Sequence, residues 1–575
     1  MSGDWPPCGQ CGGIRIEGGD SCLAHAKPGE RAAALTQFSE SGELDVRGVT
    51  ISKALLKEIF RAAPHDKDDH LAFSAARFDR STFEGGAWFI GARFEDDASF
   101  TDARFEGDAG FDGVTFKRNV WFVGATFEGD ALHHKAARFD RATFEGRAEF
   151  VGARFAGDAS FNQGVKFEGV AGFVGATFEG DAGFDRATFK DASFDRATFE
   201  GPFAQFGGAR FEGRAGFSFA RFKGTVVFNG ARFEGDMPVL GPMAVGGRLY
   251  LNGVQFASLA QIETETSILT CRRGRFPGGV RFDVRRALVR LDESDLSMPS
   301  LLTGPPVSDP AGITGQPKLL SLQGANVAGL ALANVNLASC RFAGTHNLDK
   351  LRLEADTVFG LSPAVAGWER RQVIAEETAW RAARTRPGER NRWERLPWPE
   401  DWEGDMRVPD ELSVRIPADE PEVLSPGAIG GLYRALRKGR EDAKDVPGAA
   451  DFYYGEMEMR RHDRGTGTNR WRGRVSRIVL TVYWLVSGYG QRAWRSLAAL
   501  AVVMAVFAAL LRLWGFAGPT SYWKSLLFSF RSTISLTDSS VSLTAWGGLF
   551  QACLRLTGPV LLALALLALR ERVKR

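Results

Sequence analysis

The chain has 575 residues, 44 % of them hydrophobic and 25 % charged, with a formal net charge of +3. That balance fits a folded chain of several domains rather than a disordered one, and so small a net charge gives no ground for a nucleic-acid partner. Six cysteines over this length are too few for a disulfide framework.

The N-terminus, Met1 to Cys22, has no apolar run of the signal-peptide kind, so the N-terminal body is expected to stay in the cytoplasm. In PPCGQCGGIRIEGGDSCLAH, Cys8, Cys11, Cys22 and His25 form C-x2-C-x10-C-x2-H. Two close ligand pairs joined by a Gly-rich turn can each span an edge of one tetrahedron, and three thiolates suit zinc. Four protein ligands leave no position for a catalytic water, so the expectation is structural Zn2+ at a zinc-knuckle-like segment (1–30). The alternatives are reduced surface cysteines, or a redox pair at Cys8 and Cys11 without the βαβ context such a pair needs. Cys271, Cys340 and Cys553 stand alone and read as small apolar fillers. SKALLKEIFRAA, Ser52 to Ala63, reads as a helix within a cap at 31–70.

From residue 71 the 44 phenylalanines of the chain concentrate up to residue 233. Phe94, Phe100, Phe105, Phe111, Phe116, Phe122 and Phe127 alternate six and five apart, a period of neither a helix nor a lone strand. A coil with four short sides would place one large residue on each side. Ala92, Ala98, Ala103, Ala109 and Ala125 stand two before a Phe, and residues two apart on an extended side point the same way. The interior is then a column of Phe with small residues beside it. The charged residues and Gly take the outside and corners.

The units ARFEG, ATFEG, DASFD and ANVNL resemble those of the pentapeptide-repeat family, a resemblance that implies a right-handed quadrilateral β-helix. Here every second unit has an extra residue, giving coils of 22, and bulged corners are expected near His133, His134 and Lys135 and from Pro202 to Phe206. With coils about 4.8 Å apart, residues 71–248 make a rod on the order of 35 Å long. A less regular continuation at 249–356 has centres at Val327, Leu332, Leu337 and Phe342. Some proteins of this family imitate DNA with an acidic face. Residues 71–236, with 25 acidic and 20 basic side chains interspersed, instead suggest a solvated docking surface.

A linker (357–428) is expected to hold one helix, Trp368 to Arg384, and the irregular stretch WERLPWPEDWEGD at 393–405. A helical hairpin (429–470) follows, with helices Ile429 to Asp442 and Ala449 to Arg461 separated by Pro447 and Gly448. Glu456 and Glu458 suggest an acid/base pair, but their spacing points them to different sides of a helix, and packing within the hairpin is the preferred reading.

The membrane domain (471–575) has apolar spans at about 496–516 and 546–569, each long enough for a hydrocarbon core of about 30 Å. Arg470, Arg472, Arg474, Arg477, Arg492 and Arg495 precede the first span and RERVKR follows the second. Only Lys524 and Arg531 lie between, so both termini are expected in the cytoplasm of a multi-pass cell-membrane protein. Between the spans, SYWKSLLFSFRSTISLTDSS reads as a re-entrant half-helix and a Ser/Thr strip.

YYGEMEMRR, SGYGQRAWRSL and LTGPVLLALALLALRERVKR make the chain similar to bacterial proteins that join pentapeptide repeats to a two-helix, potassium-channel-like membrane module. The GYG of VSGYG (486–490) is not a filter, because it precedes the first span. It is read as the end of an interfacial helix, Ile478 to Val486. At the filter position STISLTDSS lacks glycines, and in a pore-like region comprising Arg531, Ser535, Asp538 and Arg555 a fixed arginine charge, with which Asp538 could pair, would repel potassium.

The preferred reading is therefore a membrane-anchored cytoplasmic scaffold without catalysis. It would have the lipid bilayer and an unidentified protein as partners, and nucleic acid is not expected. The first alternative is a channel-like protein with a degenerate filter, anionic or non-selective, which would be a homo-oligomer of about four copies. The second is a membrane-associated oxidoreductase, a label carried by proteins of this layout and supported by no cofactor motif here.

Overall fold

The computed structural model describes residues 5–129, 135–306, 315–354, 356–363, 370–384, 423–463, 470–534 and 542–573. They fall into two compact units, Met1–Phe359 and Gly360–Arg575.

The first unit is a parallel β-solenoid of about 12 turns. Within one coil the strands Ala87–Trp88, Arg93–Phe94, Ala98–Ser99 and Arg104–Phe105 form four sides, and Ala109–Gly110 then pairs back onto the first. Phe94 is in register with Phe116, and Phe105 with Phe127, each 22 residues on. The interior rings form columns: Phe94 stacks on Phe73 and on Phe116 at 4.8 Å, Phe100 on Phe122 at 4.8 Å, Phe105 on Phe127 at 4.8 Å, and Phe111 on Phe139 at 4.8 Å. Neighbouring columns meet edge to face, as at Phe100 and Phe111 with an interplanar angle of 85°. The seven phenylalanines from Phe94 to Phe127 are 0–1 % exposed. Each contributes about 2–3 kcal/mol of apolar burial, and each favourable ring pair about 0.5–1.5 kcal/mol more.

The alternation of five and six comes from two kinds of corner. In each five-residue step the chain makes a turn closed by the amide three residues on, as Ala92 N donates to Phe89 O at 2.9 Å and Ala103 N to Phe100 O at 3.0 Å. The third residue of these turns is left-handed, at Arg80, Gly91, Asp102, Gly113 and Gly124, as a type II turn requires. Several of the six-residue steps instead carry a Gly packed on the corner beneath. A Cβ on Gly107 would lie 2.7 Å from the Gly85 carbonyl carbon. The extra residue therefore leaves the corner geometry regular.

Several expectations are corrected. The solenoid begins before residue 71, since Glu43–Asp45 and Thr50–Ile51 already pair with Ala75–Arg77 and Thr82–Phe83. At residues 130–134, which lie outside the described residues together with His133 and His134, the register step lengthens to 28, Phe116 pairing with Phe144. A register shift is recorded beside it, between Lys135 and Ala137. From Pro202 to Phe206 no bulge forms: Phe203–Gln205 pairs with Thr225–Val227 without a shift, because the long step from Phe199 to Phe206 offsets the short one from Phe189 to Phe194. Beyond Val239 the strands lengthen to Val239–Tyr250 and Ala260–Thr270, and the register step falls to 20, Leu249 pairing with Leu269 and Leu269 with Val289. Cys271 continues one interior column between Leu251 and Leu291, which explains its complete burial.

At the start of the unit lie helices α1 (Pro28–Ser41) and α2 (Lys53–Ala62). Ser52 caps α2 by accepting from Leu55 N, and Leu55, Leu56 and Ile59 are buried. Phe38 of α1 stacks on Phe73 at 5.8 Å, and Phe60 of α2 meets Phe89 edge to face at 5.2 Å. The two helices thus cover the open ends of two ring columns, which would otherwise meet water.

In the second unit Gly360–Leu361 pairs antiparallel with Gln372–Val373. That pairing holds 372–373 extended, so α3 begins only at Ala375 and runs to Ala382, shorter than the expected Trp368 to Arg384. Residues 385–422, with WERLPWPEDWEGD, lie outside the described residues. Helices α4 (Pro426–Asp442) and α5 (Val446–His462) follow, the latter opened by Asp445, whose carboxylate accepts from Gly448 N. Next come α6 (Arg470–Ser487), longer than the expected Ile478 to Val486, α7 (Ala493–Leu510, continued by a π-turn to Gly515), α8 (Tyr522–Thr533) and α9 (Ala545–Val573). Two stretches, Ala493–Gly515 and Ala545–Leu567, are long and apolar enough to cross a membrane.

Candidate metal centre and buried charge cluster

The N-terminal segment brings Cys8, Cys11, Cys22 and His25 together, with one ligand atom from each within 4.8 Å of the others. Cys8 Sγ lies 3.7 Å and Cys22 Sγ 3.3 Å from His25 Nδ1, and Cys11 Sγ lies 3.6 Å from Cys22 Sγ. With Zn–S of about 2.3 Å and Zn–N of about 2.0–2.1 Å, a tetrahedral ion puts sulfurs about 3.8 Å apart and S···N about 3.6 Å apart. The donor set fits that size and chemistry. Gln10 N donates to Cys8 Sγ and Gly13 N to Cys11 Sγ, each at 3.4 Å, which favours thiolate charge. At Cys8 desolvation opposes ionisation, but backbone amides and His25 outweigh it and lower the thiol to about 6. Burial pushes Cys22 up to about 12. The segment is tied to the first coil by Ile14 N donating to Arg47 O at 2.7 Å and by the Arg47 guanidinium 5.0 Å over the Trp5 ring.

The second unit holds a cluster that the sequence reading missed. Glu377 on α3, 0 % exposed, receives Arg371, Arg381 at 2.7 Å and the Tyr433 hydroxyl at 2.6 Å. Desolvation opposes its charge, but Arg371 and Arg381 override it and hold the carboxyl below the usual range. Burial, reinforced by Glu377, pushes the Tyr433 phenol up.

Glu456 and Glu458 of α5 are both buried, on different arginine sets. Glu456 pairs with Arg434, Arg437 and Arg460 at 2.9, 2.9 and 2.7 Å. Glu458 pairs with Arg381 at 3.3 Å and Arg461 at 2.8 Å, and also receives the Tyr489 hydroxyl. Carboxylates so neutralised are braces rather than a poised acid/base pair. The only sequence signal was the Arg-rich pattern of α4 and α5, which does not show which acids become buried.

VSGYG belongs to this cluster. Gly488, Tyr489 and Gly490 are all left-handed, which ends α6 sharply. Tyr489 packs edge to face on Tyr454 at 5.1 Å, and Trp484 Nε1 donates to Tyr454 Oη at 3.0 Å.

Of the pore-like residues, the described structure places only Arg531 and Arg555. Ser535 and Asp538 lie outside the described residues, with the rest of 535–541. Arg531 is exposed at the end of α8. Arg555 lies on α9 with Nε buried and without a hydrogen-bond partner among the described residues. On α8, Ser525, Ser529 and Ser532 face inward while Trp523, Leu527 and Phe530 are exposed.

Four overlapping stretches, 72–115, 89–132, 111–164 and 163–207, match the family model described as pentapeptide repeats (9 copies). The chain thus carries pentapeptide repeats over residues 72–207 of the solenoid. No curated protein and no solved structure matches it.

Proposed function

We propose that the chain is a membrane-anchored scaffold: a pentapeptide-repeat solenoid held at the cytoplasmic face of the cell membrane by α7 and α9, with both termini in the cytoplasm, and presenting its outer faces to a protein partner. The observation that carries the anchor is the inversion of polarity in the last helices. Only 17 % and 22 % of the residues in the apolar windows of α7 and α9 are buried, and α8 turns serines inward and Trp523 outward. In water that arrangement exposes apolar surface without compensation, whereas lipid reverses the sign. The charge distribution around the spans supports the orientation. The solenoid interior is packed with rings, so its working surface is the exterior. Structural zinc at Cys8, Cys11, Cys22 and His25 would fix the N-terminal segment on the first coil.

The test is fractionation of cells expressing the full chain. Resistance of the membrane-bound protein to alkaline carbonate, with both termini protected from external protease, is expected. Extraction into the soluble fraction would overturn the anchor.

A channel-like module is a second reading, favoured by α8 packing against both α7 and α9. It requires about four copies in detergent and ion flux in liposomes that changes on Arg555→Ala. A monomer without flux would remove it.

A further inference from the structure

The second unit contains a polar cavity of about 280 Å³, lined among others by Arg370, Arg371, Gln372, Asp451, Gln491 and Arg492. Arg371 and Arg492 each stand 5.4 Å from the centre of the Tyr454 ring, so one aromatic ring places two guanidiniums at the same wall. Asp445 also lines the cavity, but its carboxylate is engaged by Arg440 and by Gly448 N. Asp451 accepts from Gln372 N at 3.1 Å. Arg371 is itself paired with Glu377 and Asp445 with Arg440, so the balance of the lining rests on Arg370 and Arg492 against Asp451 and is cationic. The Gln372 Oε1 atom is buried and has no hydrogen-bond partner among the described residues. The lining thus offers guanidinium donors beside carboxylate and amide acceptors.

The cavity's position selects among anions. Arg492 immediately precedes Ala493, the first residue of the first candidate span, and the exposed Trp494 follows. Aromatic and basic residues at the end of a span lie at headgroup level. Guanidiniums suit phosphate oxygens, while the acceptors suit hydroxyls.

We propose that this cavity binds a phosphate ester bearing free hydroxyls, carried by an anionic phospholipid headgroup. The lipid source rests on the reading of α7 as a membrane span. The phosphate site itself does not.

The test uses the full chain in a non-ionic detergent, titrated calorimetrically with dihexanoyl phosphatidylglycerol, dihexanoyl phosphatidylcholine and glycerol phosphate. Saturable binding of the phosphatidylglycerol, at least tenfold tighter than of the phosphatidylcholine, is expected. Arg492→Gln should weaken it about tenfold or more, as befits loss of one charge-assisted pair. Arg370→Gln, at an exposed position where folding is not at stake, should weaken it severalfold, and Arg210→Gln in the solenoid should leave it unchanged.

No phosphatidylglycerol binding, equal binding of the choline lipid, or binding indifferent to both cavity variants would overturn the site. Glycerol phosphate binding as tightly as the lipid would overturn the lipid source and assign the cavity to soluble phosphate esters. Carbonate extraction reads the anchor separately. A membrane-resistant chain without phosphatidylglycerol binding sinks the cavity alone, and an extracted chain that still binds sinks the anchor and the lipid source while leaving the phosphate site.

Discussion

The hydroxyl of Tyr489 donates to Oε2 of Glu458 at 3.1 Å, joining the glycine-flanked end of α6 to the buried face of α5. The tyrosine is 1 % exposed. Burial, reinforced by the Glu458 charge, pushes its phenol up. Tyr489→Phe keeps the ring contacts with Tyr454 and Tyr483 and removes only the bond to a charged acceptor, a loss of about 1.5–3 kcal/mol. The expected result is a lower unfolding temperature with native helical circular dichroism. An unchanged temperature would show that Arg381 and Arg461 suffice for Glu458.

The same cluster sets a pH window. Glu377 and Glu458 have folded-state values below the ordinary glutamate value of about 4.3. The stabilisation they provide is therefore complete above that value and is lost as pH falls through their folded values. Tyr433 and Tyr489 are raised, so what they add is complete below about 10 and is lost as pH rises further. Glu377→Gln breaks a buried pair and is expected to cost about 3–5 kcal/mol at pH 7. The stability gap between the variant and the parent in denaturant unfolding should narrow as pH is lowered from 5 to 3, as the unfolded-state carboxyl takes up its proton. A gap that stays constant across that range would contradict the ionised assignment.

How far the sequence was legible follows from where each interaction is local. The spacing of Phe94 to Phe127 revealed a solenoid, because each interior residue repeats one neighbour relation, and the cysteine spacing located the ligand cluster for the same reason. The start of the solenoid at Glu43 was hidden, since Leu44 and Ile51 fill the first interior positions without the Phe signature. The charge cluster was hidden too. Glu377 and Tyr433 are 56 residues apart, and their pairing depends on how three helices pack. The expected bulge at Pro202 failed because local spacing was read without the compensating short step before it. Register in a coil is held by the whole turn.

Within the solenoid, Phe161 stacks on Phe139 at 4.7 Å and on Phe184 at 4.9 Å. Phe161→Ala should cost about 3–5 kcal/mol, since a close-packed column cannot collapse onto the gap. The corners give a graded comparison. Gly152 is left-handed with nothing within 4 Å of an added Cβ, so Gly152→Ala carries only backbone strain of about 1–2 kcal/mol. A Cβ on Gly235 would overlap the Gly213 carbonyl, so Gly235→Ala should cost more. Urea midpoints of the three variants check the order, and equal midpoints for the two alanines would refute the stacked-corner account.

The metal centre predicts a coupled change in thiol count and metal content. Cys271 and Cys340 are fully buried in the solenoid interior, and the Cys271 thiol is pushed up to about 12 by burial. A thiol reagent should therefore report chiefly on Cys8, Cys11, Cys22 and Cys553. If zinc holds the first three, native protein exposes about one reactive thiol, and a strong chelator raises that by three while releasing one zinc per chain. Cys11→Ser should abolish stoichiometric zinc and leave Cys8 and Cys22 reactive without chelator, because a tetrahedral thiolate site that loses a ligand binds far more weakly. The tie from Ile14 to Arg47 makes the segment part of the first coil, so chelation should also lower the unfolding temperature of the solenoid. Thiol reactivity that ignores the chelator, with no zinc in dialysed protein, would leave these residues as reduced cysteines packed beside a histidine.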